Sequence, residues 1–134
     1  MVQASGEITP AGVSLCVVEH DADARTSLAA LFAGLGIDVR TYTSAEDLLS
    51  TLDQVEMSML VSELTLPGIS GIELLRRLRE RGVRAPTILL SEDSDIPTAV
   101  DAIRAGAVDF IEKPFIDRVL LRRVKAALEG SSPN

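Results

Sequence analysis

A chain of 134 residues with 46% hydrophobic and 25% charged residues is long enough for one hydrophobic core and too short for two comfortable ones. Its net charge of -7 argues against this segment gripping nucleic acid through backbone phosphates. No apolar run reaches the about 18 residues of a spanning helix. The opening MVQASGEITPAGVS has no basic start followed by an apolar stretch, so the expectation is a cytoplasmic protein without membrane contact.

The first 13 residues carry Gly, Pro, Ser and Thr without periodicity and read as a flexible tail, as do residues 130–134. Between them lies one folded unit over 14–129. An apolar run predicts a first strand over 15–18; its Cys16, the sole cysteine, reads as a buried core thiol. Leu28, Leu31, Phe32 and Leu35 then recur at helix spacing, and Gly34 and Gly36 end that helix. A second strand is predicted over 37–42. Ser44 caps a second helix whose apolar face is Ala45, Leu48, Leu49 and Leu52, with Ser44 and Asp47 as a pair resembling a capping box. A third strand is predicted over 57–61, followed by a helix stepping through Ile72, Leu75 and Leu78. A fourth strand over 87–90 precedes a helix marked by Ile96, Val100 and Ile103. A fifth strand over 107–111 leads to a closing helix on Leu120, Val124 and Leu128.

Five strands alternating with five helices imply right-handed crossovers and a parallel sheet covered on both faces. In such α/β sheets the functional crevice lies beyond the carboxyl ends of the strands. The residues there are Glu19, His20, Asp21, Glu63, Ser91 and Lys113.

Four phrases carry a resemblance: VVEHDADARTSL, LVSELTLPGISGIELLRRLR, TILLSEDSDIPTAV and AGAVDFIEKPF. In their order and spacing the chain resembles the CheY-like receiver domain of two-component response regulators, in its FixJ-type branch. The resemblance implies a flavodoxin-like, doubly wound five-stranded sheet in the order 2-1-3-4-5. It also implies an aspartyl phosphate after the third strand and Mg²⁺ held by acids after the first. The chemistry has its own logic: phosphoryl transfer to a carboxylate needs a cation on the oxygens, a lysine for the equatorial charge and a hydroxyl that follows the phosphate. By resemblance Lys113 is the phosphate-contacting lysine, Ser91 and Phe110 are the switch hydroxyl and switch aromatic, and the bond before Pro114 is cis.

The departures fall on the catalytic positions. Glu63 stands where the family has its acceptor aspartate, and Glu19 and His20 stand for its acidic pair, with Asp21 next along. The implied Mg²⁺ ligands fall on Glu19, His20, Glu63 and Thr65, a set weakened by imidazole, because Mg²⁺ prefers oxygen ligands in near-octahedral array. Three readings of Glu63 stay open. Its longer side chain reaches Lys113 and makes a phosphate-independent pocket resembling the activated one; or the pocket is dead and the domain is a constitutive scaffold; or phosphorylation persists on Glu63, Asp21 or Asp93.

Other residues have plainer alternatives beside the functional ones. His20, the one histidine, suits either a pH sensor or an exposed loop. Ser91 can cap the following turn, and Phe110 can be an ordinary half-buried aromatic. The basic run over 76–84 fits a partner patch or a solvated helix face. The resemblance further implies dimerisation or output contact through the α4-β5-α5 face, meaning the fourth helix, fifth strand and fifth helix. Its candidates here are residues 96–105, Asp109 and residues 118–123. The implied partners are a histidine kinase or an output or effector domain, such as a LuxR-type helix-turn-helix domain in the same pathway or gene, and the implied role is regulation of transcription. A stand-alone adaptor that binds a kinase or another receiver is the alternative. An enzyme using Glu19 and Glu63 as acid and base is a weaker third class, since no further substrate motif accompanies them.

Overall fold

The computed structural model describes residues 12–92 and 95–130. Its elements run β1 (Ser14–Val18), α1 (Ala22–Ala33), β2 (Asp38–Tyr42), α2 (Ala45–Ser50), a 3-10 turn (Leu52–Gln54), β3 (Met59–Glu63), α3 (Gly71–Glu80), β4 (Thr87–Ser91), α4 (Ile96–Arg104), β5 (Asp109–Glu112) and α5 (Asp117–Gly130). The strands form one five-stranded sheet in the order β2-β1-β3-β4-β5, with every pairing parallel. That is the expected topology. Residues 1–11 and 131–134, and with them most of both expected tails, lie outside the described residues.

Alternation along the central strands sorts the core by face. Leu15, Val17, Met59, Val61, Ile88 and Leu90 point to one side and pack with Leu28 and Phe32 of α1 and Leu120 and Val124 of α5. Cys16, Val18 and Leu60 point to the other and meet Ala45 and Leu48 of α2 and Leu74 and Leu78 of α3. Leu89 joins Leu64, Leu75, Ala102 and Ala107 in a third cluster. Strands covered on both faces carry apolar residues at nearly every position, which explains why β1, β3 and β4 read as continuous runs. β2, on the sheet edge, is half exposed.

Three expectations need correction. β3 starts and ends two residues later than the apolar run suggests: Ser62 and Glu63 remain in register with Leu89 and Leu90, because pairing with β4 decides the strand end and polarity does not. β5 likewise begins at Asp109, since Gly106 (φ 114°) completes the turn out of α4. α5 extends through Gly130, one residue past the expected end of the folded unit at 129. On α4 the residues that marked the helix face outward: Ile96, Val100 and Ile103 are 76%, 40% and 51% exposed, while small Ala102 packs on the sheet.

The Ser44 hydroxyl accepts from the Asp47 backbone N–H at 3.0 Å, but the Asp47 carboxylate accepts from the Thr43 hydroxyl at 2.7 Å instead of closing a capping box. The basic run is largely engaged within the chain. Arg76 and Arg77 pair with Glu73 at 3.5 and 3.2 Å, and Arg79 donates to the Val83 and Gly106 carbonyls at 2.9 and 3.4 Å.

Candidate functional site

Each residue of the site is held where a parallel strand runs out. The Glu19 N–H donates to the Tyr42 carbonyl at 3.0 Å, which fixes the backbone just past β1. Glu63 is the last residue of β3, and the Leu64 N–H donates to the Leu90 carbonyl at 2.8 Å. The Lys113 N–H donates to the Ser91 carbonyl at 2.7 Å, bringing the ends of β4 and β5 together. The Lys113–Pro114 peptide bond is cis.

These placements gather two carboxylates around one ammonium. Lys113 Nζ lies 3.0 Å from Glu19 Oε1 and 3.4 Å from Glu63 Oε2. Glu63 Oε1 shares a hydrogen bond of 2.6 Å with His20 Nδ1, and that nitrogen lies 3.5 Å from Glu19 Oε2. The Asp21 N–H donates to Glu19 Oε2 at 3.2 Å. Glu63 does reach Lys113, yet its shorter contact is with His20, and the lysine stands closer to Glu19.

Burial makes these contacts count. Glu19 is 1% exposed and Glu63 7%, whereas the His20 side chain is nearly half exposed. Burial by itself raises the Glu19 carboxyl, but the hydrogen bonds from Glu63, Lys113 and the Asp21 N–H outweigh it and hold the group below its ordinary value. Glu63 moves the opposite way: burial and the adjacent Glu19 charge raise it, against the pull of His20 and Lys113. Burial would lower Lys113, but both carboxylates together raise it. The pair therefore divides its roles, with Glu19 as the standing anion and Glu63 as the member that takes a proton first.

Asp21 does not join the pocket through its carboxylate. It is the N-cap of α1, with Oδ2 accepting from the Ala24 N–H at 2.8 Å, and a short acidic side chain before a helix has this local use available at once. Thr65 and Ser91 line the mouth of the site with His20, Glu63 and Glu92, around a cavity of about 260 Å³. Phe110 stands away from it, half-buried on the α4 side of β5, beside Ile96, Val100 and Ile103. Asp93 lies outside the described residues.

Two residues that the sequence reading passed over brace the site. Arg25, in the second turn of α1, donates from Nη1 to the Glu19 carbonyl at 2.8 Å and the His20 carbonyl at 3.4 Å, clamping the loop. A cation six residues after an acidic loop was the available signal. Glu46 of α2 accepts from the Ile69 N–H at 3.0 Å and steadies the turn after β3, where Gly68 adopts φ 81°.

The donor set does not fit Mg²⁺. That ion takes oxygens at about 2.1 Å in near-octahedral array. Here one of the positions is imidazole, the Asp21 carboxylate is turned to the helix cap, and Lys113 holds one oxygen of each glutamate.

Residues 15–125 match the response regulator receiver domain. The chain is 40% identical over 113 residues to the transcriptional regulatory protein FixJ of Rhizobium meliloti (strain 1021), an alignment covering 84% of this chain and 55% of that protein. The chain thus spans about half the length of the curated relatives it matches. Among solved structures, the crystal structure of FixJ-N superposes with a TM-score of 0.81 at 37% identity, covering 91% of this chain and 98% of that one. Full-length FixJ from B. japonicum superposes with a TM-score of 0.83 at 34% identity, covering 90% of this chain and 60% of that one.

Proposed function

Because the chain belongs to the response regulator receiver domain family, we propose that it is an atypical, cytoplasmic receiver of a two-component pathway that signals without an aspartyl phosphate. In this reading Glu63 replaces the phosphoacceptor, and the domain acts on transcription through contacts with an output or effector domain or a histidine kinase, not as an enzyme. The observation that carries it is the engagement of both Glu63 oxygens: Oε1 with His20 at 2.6 Å and Oε2 with Lys113 at 3.4 Å.

Charge governs whether Glu63 can accept a phosphoryl group. A carboxylate attacking phosphorus must approach a negatively charged group, so the pocket has to supply positive charge that is not already spent. Here Lys113 is shared by two carboxylates, and an incoming phosphoryl group would compete with both for the same ammonium. The built-in carboxylate of Glu63 takes the place beside Lys113 that an added charge would take, which favours an arrangement fixed by the sequence. Contacts then pass through α4, β5 and α5, whose exposed Ile96, Val100 and Ile103 lie beside Phe110. We assign to that face a homodimer or an output contact.

The test is intact-mass spectrometry after incubation with acetyl phosphate and Mg²⁺, with the double variant His20→Asp/Glu63→Asp as positive control. The variant should gain a phosphoryl group and the native chain should not. A native chain that gains one would overturn the reading.

A further inference from the structure

We propose that the groove at the amino-terminal ends of β4 and β5, walled by Arg79, Arg84 and Arg123, binds a small phosphate monoester, a dianionic head carried on a compact apolar body. The groove lies at the other end of the strands from Glu63 and Lys113, so the inference goes beyond the phosphate-independent reading and does not depend on it.

Its walls are held by the sheet and by α5. Pro86 and Val108 stand just before the two strands: the Val108 N–H donates to the Thr87 carbonyl at 2.9 Å, and the Pro86 carbonyl accepts from the Leu60 N–H at 2.9 Å. Ala126 and Ala127 of α5 line the groove from the other side. Arg79 is fixed by donating to the Val83 and Gly106 carbonyls at 2.9 and 3.4 Å. Arg123 is fixed by donating from Nη1 to both Asp109 oxygens at 2.9 and 2.7 Å. Both guanidiniums keep further N–H groups for a ligand. The volume, about 440 Å³, falls within the roughly 300–1,000 Å³ of small-molecule sites.

Charge identifies the occupant. Among the described residues the groove is lined by three guanidiniums and a single carboxylate, Asp109, which Arg123 already holds. Arg79 bonds to neutral carbonyls, and neither it nor Arg84 has a carboxylate within ion-pair distance among the described residues. Burial, and then the Arg84 charge, hold the Arg79 guanidinium below its ordinary value, so the two cations press on each other with no built-in anion between them. A chain of net charge -7 has acids to spare, yet places none beside this pair. Three guanidiniums against one carboxylate leave two positive charges, which match the charge of about -1.5 to -2 on a phosphate monoester at neutral pH. The guanidinium fork also matches the spacing of phosphate oxygens. Val108, 54% exposed beside these arginines, offers apolar surface that bare phosphate would leave uncovered.

The experiment is ¹H–¹⁵N NMR titration of the whole chain with phenyl phosphate, with phenyl sulfate as its monoanionic counterpart and inorganic phosphate as the bare head. We expect one phenyl phosphate per chain, shifts centred on the Val108, Asp109, Ala126 and Ala127 amides, and binding about tenfold weaker for phenyl sulfate and for inorganic phosphate. Arg84→Gln removes an exposed guanidinium and Ala126→Glu adds a negative charge at an exposed helix position, so both leave the core intact. Each should weaken phenyl phosphate binding by about tenfold or more. Shifts centred on Glu63 and Lys113 instead, phenyl sulfate or inorganic phosphate binding as tightly as phenyl phosphate, or an unchanged affinity in either variant would each overturn the assignment. A phosphoryl mass gain in the native chain, by contrast, would sink the proposed function and leave this result standing.

Discussion

The backbone of Gly71 packs directly on the carbonyl of Glu63, so closely that a Cβ at Gly71 would come within 2.5 Å of that oxygen and 3.1 Å of Leu64 Cα. The Gly71 N–H donates to the Leu64 carbonyl at 2.8 Å, so the start of α3 is fastened to the end of β3. Both obstacles are backbone and cannot rotate aside. Gly71→Ala should therefore cost about 1–3 kcal/mol, read as a lowered urea midpoint, and should disturb the Glu63 side chain with it. Gly130→Ala, where nothing lies within 4 Å, is the control expected to leave the midpoint unchanged or slightly raised.

Removing the shared cation should be costly. Lys113→Ala leaves Glu19 and Glu63 facing each other in a buried site, and uncompensated buried charge costs about 3 kcal/mol near neutral pH. Adding Glu63→Gln to that variant should recover part of the loss. A double variant no more stable than Lys113→Ala in urea titrations would argue against charge as the cause.

Acid should act in two opposite steps. The ordinary value for either glutamate is 4.5. Glu63 is raised in the fold, so the native state takes up its proton before the unfolded chain does, and stability rises as pH falls through the folded value towards 4.5. Glu19 is depressed, so the stability it contributes is present above 4.5 and is lost as pH falls through its own folded value. Urea midpoints measured across pH with a chelator present should show a rise on the weakly acidic side and then a fall. Glu63→Gln should abolish the rise alone.

Cys16 should be inert while the chain is folded. It is fully buried in β1, and burial pushes its thiol up to about 11. A thiol-reactive chromophore at pH 8 should give no signal until denaturant is added, and then one equivalent per chain.

The α4 surface should respond to charge. With Ile96, Val100 and Ile103 exposed on one helix, Ile103→Glu should weaken self-association by about tenfold or more in sedimentation equilibrium if this face makes the dimer. Its thermal midpoint should barely move, because the side chain is already half in solvent.

Much of this architecture was legible in the sequence, for reasons the structure makes concrete. Runs such as TILL are continuous because β4 is covered on both faces, and sheet order followed from the family pattern. α4 was harder. Its period located a helix, but the apolar stripe pointed outward because small Ala102, not a large side chain, sits against the sheet. At the site, strand ends placed Glu19, Glu63 and Lys113 together. The division of labour among them was not legible, since contacts such as His20 to Glu63 span 43 residues and depend on side-chain direction. Asp21 looked like a pocket acid, and its position directly before a helix held the better clue.

In a receiver whose lysine waits for an added phosphoryl group, information is carried by what fraction of molecules bears the mark. Here Lys113 already has its anionic partners encoded in the chain. If no mark is added, the number of molecules present, together with partner occupancy, is left to carry the message. Synthesis and degradation would then set the output, on the timescale of gene expression and cell growth and not of phosphatase turnover.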